Sequence, residues 1–179
     1  MPEVLLAWGM TSFTPQPGDF GLTQIDGAVG WMVKVGQWLN GDGFHDWQHA
    51  FIYVGDGQII ESAPGGARGA LLSQYMVEDT VVWSSGAFDL TEDQREDIVF
   101  SATRYLGTPY SAATYFSLAT ARLGIRPRWL KNLVSDTNAM ICSQYVDQCY
   151  HDAGVRLFTD GRIPGDVTPG DLARRIGAA

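Results

Sequence analysis

The sequence has few cysteines and no long apolar run, and each shortage excludes a class of protein. Two cysteines among 179 residues are too few for a disulfide framework, and a chain of this length buries enough apolar surface to fold without one. No apolar run approaches the ~20 residues that a transmembrane helix needs. We therefore expect a soluble protein with one domain, residues 1–179, and no integral membrane insertion.

Basic residues are also scarce, because 12 Lys and Arg stand against 20 Asp and Glu and the net charge is −8. Nucleic-acid backbones and anionic membranes attract basic patches, so neither is expected as a main partner. The N-terminal stretch MPEVLLAWGM has no basic segment before its short apolar run and does not predict a signal peptide. The expected location is the cytoplasm by default, since export by another route leaves no trace in a sequence.

One cysteine stands at the start of a predicted helix. In AMICSQYVDQCYHDAG, residues 139–154, apolar residues recur at helical spacing and Gly154 stands where a C-cap belongs. Cys149 lies two turns after Cys142, roughly 10 Å along a straight helix and beyond the ~7 Å limit for a disulfide. Both thiols should be free, with Cys149 buried and inert. Cys142 is either a nucleophile on the helix dipole or a small apolar residue at the edge of a core.

The rest of the chain predicts strands first and helices later. Residues 48–64, QHAFIYVGDGQIIESAP, alternate and turn at GDG, which is typical of a β-hairpin, and residues 80–90 predict another strand. Residues 90–107 predict a helix that begins with a capping box, Thr91 with Gln94, and ends at a glycine. Further helices are predicted over 28–39, 111–124 and 126–134. This order indicates an α+β domain.

A cysteine nucleophile needs a base, and the chain offers three histidines. His151 lies nine positions along the Cys142 helix, too far for contact, and His45 lies in a glycine-flanked loop. His49 opens the apolar strand HAFIYV, which would hold it rigidly. His45 and His49 could also form a metal pair, but their four-residue spacing converges only on a helix and GDGFHDWQHAF is not helical. With no further Cys/His cluster, no metal site is expected.

The hairpin supplies a candidate partner for His49. Side chains alternate along a strand, so His49, Phe51 and Tyr53 share one face. A three-residue GDG loop would place Phe51 opposite Glu61 and bring Glu61 onto the face of His49, whereas a two-residue loop would send Glu61 to the other face. Glu61 is thus either the group that orients the imidazole or an exposed strand carboxylate. A Cys–His–Glu site and a buried structural Cys142 both stay open on these grounds.

These motifs, in this order, resemble the permuted branch of the NlpC superfamily of papain-like cysteine hydrolases, related to the lecithin retinol acyltransferase-like branch. The motifs are PGDFGL, HAFIYVGDGQIIES and ICSQYV, with LGTPYS before the Cys helix and VTPGDLAR after it. The resemblance spans residues 17–172 and implies a small antiparallel sheet packed against a helical block that carries the Cys helix. It implies Cys142 as nucleophile, His49 as general base and Glu61 as the orienting group. Tyr110 and Ser143 would be substrate-binding or active-site neighbours.

The resemblance also implies a reaction, a thiol-dependent hydrolysis or acyl transfer at an amide, ester or thioester, with no cofactor. Peptide, lipid or other acyl substrates fit, because the ordinary branch mostly cleaves peptidoglycan stem peptides and the permuted branch includes lipid-directed acyltransferases and phospholipases. A non-catalytic binding domain that keeps the fold is the alternative. The aromatic-rich residues 31–47 could line an acyl site or form core. The helical insert 111–134 and the lack of a cell-wall-binding repeat depart from the family pattern.

Overall fold

The computed structural model describes residues 14–24, 46–76, 81–110 and 140–178. Within these residues a five-stranded antiparallel sheet in the order β4-β3-β2-β1-β5 packs against α-helices. The strands are β1 (Phe20–Thr23), β2 (His49–Gly55), β3 (Gln58–Ala63), β4 (Gly66–Leu71) and β5 (Val82–Trp83). The helices are α1 (Glu92–Arg104), α2 (Cys142–Asp152) and α3 (Pro169–Arg175), with short 3₁₀ helices at Leu72–Gln74 and Pro164–Asp166. The predicted α+β class is confirmed.

The hairpin of β2 and β3 has the predicted register but reaches it by a different turn. Phe51 lies opposite Glu61, as the sequence analysis predicts. The loop, however, is the two-residue turn Asp56-Gly57, whose φ angles are +50° and +71°, and β2 extends through Gly55. A bulge at Val54 shifts the pairing between Tyr53 and Gly55 by one residue. The prediction of a three-residue loop was wrong, and the bulge restores the register that this loop would have given.

Strand β4 is an element that the sequence analysis does not predict. Its sequence, GARGAL, has little β propensity, so the pairing with β3 determines its conformation. That pairing runs along the full strand, from Ala63 opposite Gly66 to Gln58 opposite Leu71. The strand predicted over 80–90 is shorter than expected and forms only Val82–Trp83.

The described helices match their sequence signals at most termini. Helix α1 begins with the predicted capping box, in which Thr91 and Gln94 exchange backbone and side-chain hydrogen bonds. Helix α2 begins at Cys142, and Gly154, just beyond its end, has a φ of +73°. Helix α3 was not predicted, although Thr168 and Asp171 form a reciprocal cap at its start. The helices predicted over 28–39, 111–124 and 126–134, and with them the insert 111–134, lie outside the described residues.

The two faces of the sheet contribute to two apolar clusters. On the helix side, Ala50, Ile52 and Ile60 belong to a large core with residues of α1, α2 and α3. On the other side, Phe51, Ile59 and Leu72 form a smaller cluster. Because residues alternate along β2, His49 shares the side of Phe51. The start of α2, which carries Cys142, packs against β2 and β3 from the helix side.

Buried polar contacts hold β1 against helices α1 and α2. Asp19, just before β1, accepts a hydrogen bond from Arg95 Nη1 of α1 at 2.9 Å. Tyr150 of α2 donates its hydroxyl to the Gly18 carbonyl at 2.8 Å. Gly18 and Asp19 of the PGDFGL motif therefore connect the sheet to α1 and to the last turn of α2. No helix within the described part of the chain is both long and apolar enough to cross a membrane.

Candidate active site

Cys142 is the first residue of α2, and it is buried beside the start of β2. Its side chain is 2% exposed, and Sγ lies 3.9 Å from the backbone carbonyl oxygen of Gln48, the residue before His49. The first N–H groups of an α-helix have no acceptor within the helix, and the helix dipole places partial positive charge there. The thiol therefore lies where backbone donors and positive potential are both available.

The backbone just before Cys142 is anchored to two other segments and to the first turn of α2 itself. Ser62 of β3 donates its hydroxyl to the Met140 carbonyl at 2.7 Å, and the Met140 N–H donates to the Pro109 carbonyl at 3.1 Å. Within the helix, the Gln144 side chain accepts a hydrogen bond from the Ile141 N–H at 3.2 Å. Because Ser62 follows Glu61 directly, the strand that carries the carboxylate also fixes the approach to the cysteine.

His49 joins Cys142 to Glu61. The imidazole is buried, and its Nε2 lies 2.5 Å from Glu61 Oε2. The ring is also hydrogen-bonded to the Cys142 side chain, and with Nε2 occupied by Glu61 the nitrogen left for the thiol is Nδ1. Burial disfavours the imidazolium, but the hydrogen bonds to Cys142 and Glu61 outweigh burial and raise the pKa of His49 to about 9.

Glu61 is fully buried and accepts hydrogen bonds from three side chains. Oε2 accepts from His49 Nε2 and from the hydroxyl of Tyr75, and Oε1 accepts from Arg68 Nε at 3.0 Å and Nη2 at 2.9 Å. Burial alone would raise the pKa of Glu61, but the donors, His49 foremost, outweigh it and lower the pKa to about 2. The alternative of an exposed strand carboxylate is wrong. An ionised carboxylate only accepts, so Nε2 of His49 carries a proton.

Tyr110 and Ser143, the two predicted neighbours, differ in what they contact. Tyr110 is half-buried near the thiol, and burial, then the negative charge of an ionised Cys142, raises the pKa of its phenol. Ser143 is fully buried, and its hydroxyl donates to the Val167 carbonyl at 2.7 Å. Ser143 thus connects the start of α2 to the segment before α3 by a hydrogen bond, which is a structural role.

The second cysteine and His151 lie apart from this site. Cys149 is fully buried in the core, where burial raises the pKa of its thiol to about 12, and both cysteines are free of disulfides. His151 lies in the last turn of α2. His45 lies outside the described residues, as does most of the aromatic segment 31–47. Among the residues that the structure describes, no group of three His, Cys, Asp or Glu side chains could hold a metal ion.

Three residues that the sequence analysis missed complete the surroundings of Glu61 and Cys142. Arg68 lies directly opposite Glu61 in the β3–β4 ladder, so a prediction of β4 would have found it. Ser62 could have been found as the residue next to Glu61 that faces the helices. Tyr75 lies just after the 3₁₀ helix Leu72–Gln74, and no sequence signal links it to Glu61.

Comparisons with known proteins bear on the fold alone. No family model matches the chain, and no curated protein matches it. Among solved structures, the chain is similar to the crystal structure of metalloprotein yiiX from Escherichia coli O157:H7 (DUF1105). The TM-score is 0.56 at 19% sequence identity, and the match covers 91% of this chain and 83% of that chain. This likeness supports one α+β fold across most of the chain.

Proposed function

We propose that this protein is a cysteine hydrolase or acyltransferase that forms an acyl-enzyme on Cys142. The observation that carries the proposal is one chain of contacts, in which Cys142 at the start of α2 is hydrogen-bonded to His49 and His49 is held by the buried carboxylate of Glu61. A nucleophile, a base and an orienting acceptor in contact are the arrangement that nucleophilic catalysis requires.

The surroundings favour a charged thiolate–imidazolium pair over two neutral groups. The start of α2 supplies partial positive charge to the thiolate. Glu61 stays ionised because its pKa is about 2, and it stabilises the imidazolium from the side opposite the thiol. Burial alone would lower the pKa of His49, but the interactions with Cys142 and then with Glu61 raise it to about 9. Cys142 is then ready to attack without first losing its proton to solvent.

The reaction follows from these positions. The Cys142 thiolate attacks the substrate carbonyl carbon, a C–S bond forms, and the carbonyl oxygen becomes an oxyanion. His49 donates its Nδ1 proton to the leaving amine, alcohol or thiol as the bond from carbon to the leaving group breaks. A water molecule then gives a proton to His49 and attacks the thioester, the C–S bond breaks, and the carboxylic acid leaves. If an acceptor amine or alcohol replaces water, the same steps transfer the acyl group.

The oxyanion needs donors that point at it, and the start of α2 offers them. Cys142 is the first residue of α2, so its backbone N–H belongs to the first turn, where N–H groups point along the helix axis toward the N-terminal end that carries the reacting sulfur. Tyr110, half-buried near the thiol, is a second candidate for contact with the substrate. Ser143 is not assigned such a role, because its hydroxyl is bonded to Val167.

The fold that best accommodates this site is a permuted papain-like one. In the chain the base and carboxylate precede the cysteine, and His49 and Glu61 lie on paired strands while Cys142 begins a helix. This order is the one that the motif resemblance implies for the permuted NlpC branch. The similar protein yiiX is described as a metalloprotein. We propose no metal-dependent step for this chain, because the carboxylate of Glu61 already accepts hydrogen bonds from three side chains. Substrates are peptide amides, including peptidoglycan stem peptides, or lipid esters.

The test is direct detection of the acyl-enzyme. Purified protein is incubated with a panel of peptide amides, p-nitrophenyl esters and acyl thioesters of increasing chain length, quenched in acid and analysed by intact mass and peptide mapping. We expect an acyl adduct on Cys142 with at least one class, and no adduct in Cys142→Ala or His49→Ala. Cys149→Ala, the matched control at the other cysteine, should retain the adduct. Turnover that persists in Cys142→Ala would contradict the proposal.

A further inference from the structure

Tyr75 contacts both partners in the His49–Glu61 pair. Its hydroxyl donates to Glu61 Oε2, the same oxygen that accepts from His49 Nε2. Its ring lies 5.5 Å from the imidazole ring, centroid to centroid, at an interplanar angle of 34°. The other ring neighbour is Phe51, stacked at 5.4 Å and 25°. Tyr75 thus restrains the carboxylate by a hydrogen bond and covers the imidazole with its ring.

We propose that Tyr75 is a positioning residue, which holds Glu61 and His49 so that Nε2 faces the carboxylate and Nδ1 faces Cys142. This role rests on the proposed function, since the orientation matters only if Cys142 reacts. Tyr75 acts through Glu61 and His49 and is not itself a catalytic residue.

The two oxygens of Glu61 explain why Tyr75 has this role and Arg68 does not. Arg68 bonds only Oε1, and its side chain is 57% exposed, so water can replace it. Tyr75 bonds Oε2 beside His49. The terminal torsion of a glutamate is broad. Without the phenol hydroxyl, the carboxylate can rotate toward Arg68, and Oε2 then leaves the imidazole.

Loss of the hydrogen bond between Tyr75 and Glu61 should lower the pKa of His49. The groups that act on the imidazole are Cys142 from α2 and Glu61 from β3, while Arg68 and Tyr75 act through Glu61. Hydrogen bonding and charge from Glu61 both raise the pKa of His49. A Glu61 that is no longer held against the ring therefore lowers this pKa toward its ordinary value.

The experiment is a pH titration, followed by NMR, of protein that carries isotope-labelled histidine. The chain has three histidines, and a His49→Gln variant assigns the signal of His49. Tyr75→Phe keeps the ring and removes only the hydroxyl. The matched control is Tyr53→Phe, because Tyr53 lies on the same face, accepts a hydrogen bond from the Gly57 N–H and has its ring against Trp83.

We expect Tyr75→Phe to lower the pKa of His49 by about half a unit or more and Tyr53→Phe to leave it unchanged. The nitrogen shifts should also show Nε2 losing its preference for the proton in neutral His49. With an acyl substrate, kcat should fall about tenfold, the size of effect that one hydrogen bond supplies, at an unchanged KM. An unchanged or higher pKa in Tyr75→Phe overturns the positioning role.

The titration separates this inference from the proposed function. If no acyl-enzyme forms but Tyr75→Phe lowers the pKa of His49, the function fails while Tyr75 still orients the pair. If Cys142 is acylated and Tyr75→Phe matches the wild type in pKa and kcat, the function stands and Tyr75 only packs.

Discussion

Replacement of Glu61 by glutamine should destabilise the protein far more than a hairpin position ordinarily would. The carboxylate is fully buried and both of its oxygens accept hydrogen bonds. An amide has one accepting oxygen, so its NH₂ group must face either Arg68 or the pair His49 and Tyr75, all of which donate. In one orientation the buried His49 and the half-buried Tyr75 lose their acceptor, and in the other the amide NH₂ faces the exposed cation Arg68. In both, the negative charge that stabilises the imidazolium of His49 is lost.

The size of the loss follows from the pKa of Glu61. A fall from 4.5 in the unfolded chain to about 2 in the fold corresponds to about 3 kcal/mol of unfolding free energy while the carboxylate is ionised. For a chain of 179 residues, this predicts a Tm lower by roughly 6–12 °C in Glu61→Gln. The value counts the Glu61–His49 interaction once, because the pKa of each partner reports the same contact.

The pKa shifts of Glu61 and His49 determine the pH at which Glu61→Gln destabilises the protein most. The pKa of Glu61 is lowered by folding, so its contribution is fully present above about pH 4.5 and is lost as the pH falls toward 2. The pKa of His49 is raised, so its contribution is fully present below about 6.5 and is lost as the pH rises through 9. The difference in unfolding free energy between the wild type and Glu61→Gln should therefore be largest between about pH 4.5 and 6.5, near pH 6.

The assay is thermal or urea unfolding at pH 4, 6 and 9.5, followed by circular dichroism. Glu96→Gln is the matched control, because Glu96 is an exposed carboxylate on α1 and its loss should change stability little. A Tm for Glu61→Gln within about 2 °C of the wild type at pH 6 would refute the argument that Glu61 is an ionised, fully bonded buried group.

Two further predictions concern neighbouring residues on α2. Iodoacetamide at neutral pH should modify Cys142 and leave Cys149 intact until the chain unfolds, because burial holds the Cys149 thiol protonated with a pKa of about 12. Peptide mapping measures the alkylation rate of each cysteine, and equal rates would show that the start of α2 does not activate the Cys142 thiol. Ser143→Ala should reduce the free energy of unfolding by about 1–3 kcal/mol, because the buried Val167 carbonyl loses its donor. Urea titration measures this, and an unchanged midpoint would show that water or another group replaces the hydroxyl.

Local sequence signals predicted the elements that carry the candidate site. Alternation along HAFIYV and QIIESA predicted the hairpin, and the capping box of Thr91 and Gln94 predicted the start of α1, because both signals depend on residues a few positions apart. Helical spacing after Cys142 predicted α2 and a buried Cys149. Residue types and the hairpin register left a Cys142–His49–Glu61 site as one of two open interpretations, and the motif resemblance implied the role of each residue. These roles stay predictions.

Features that depend on contacts between residues far apart in the sequence were decided only by the tertiary structure. The register of Glu61 depended on a bulge at Val54, and nothing in the letters YVGDGQ separates this bulge with a two-residue turn from a three-residue loop. Strand β4 exists because β3 offers a free edge, and only that pairing brings Arg68 to Glu61. Tyr75 reaches the same carboxylate from 14 positions away. The sequence by itself determined which side chains could form a reactive site, whereas the protonation and orientation of these side chains depend on burial and on donors from distant strands, which exist only in the folded chain.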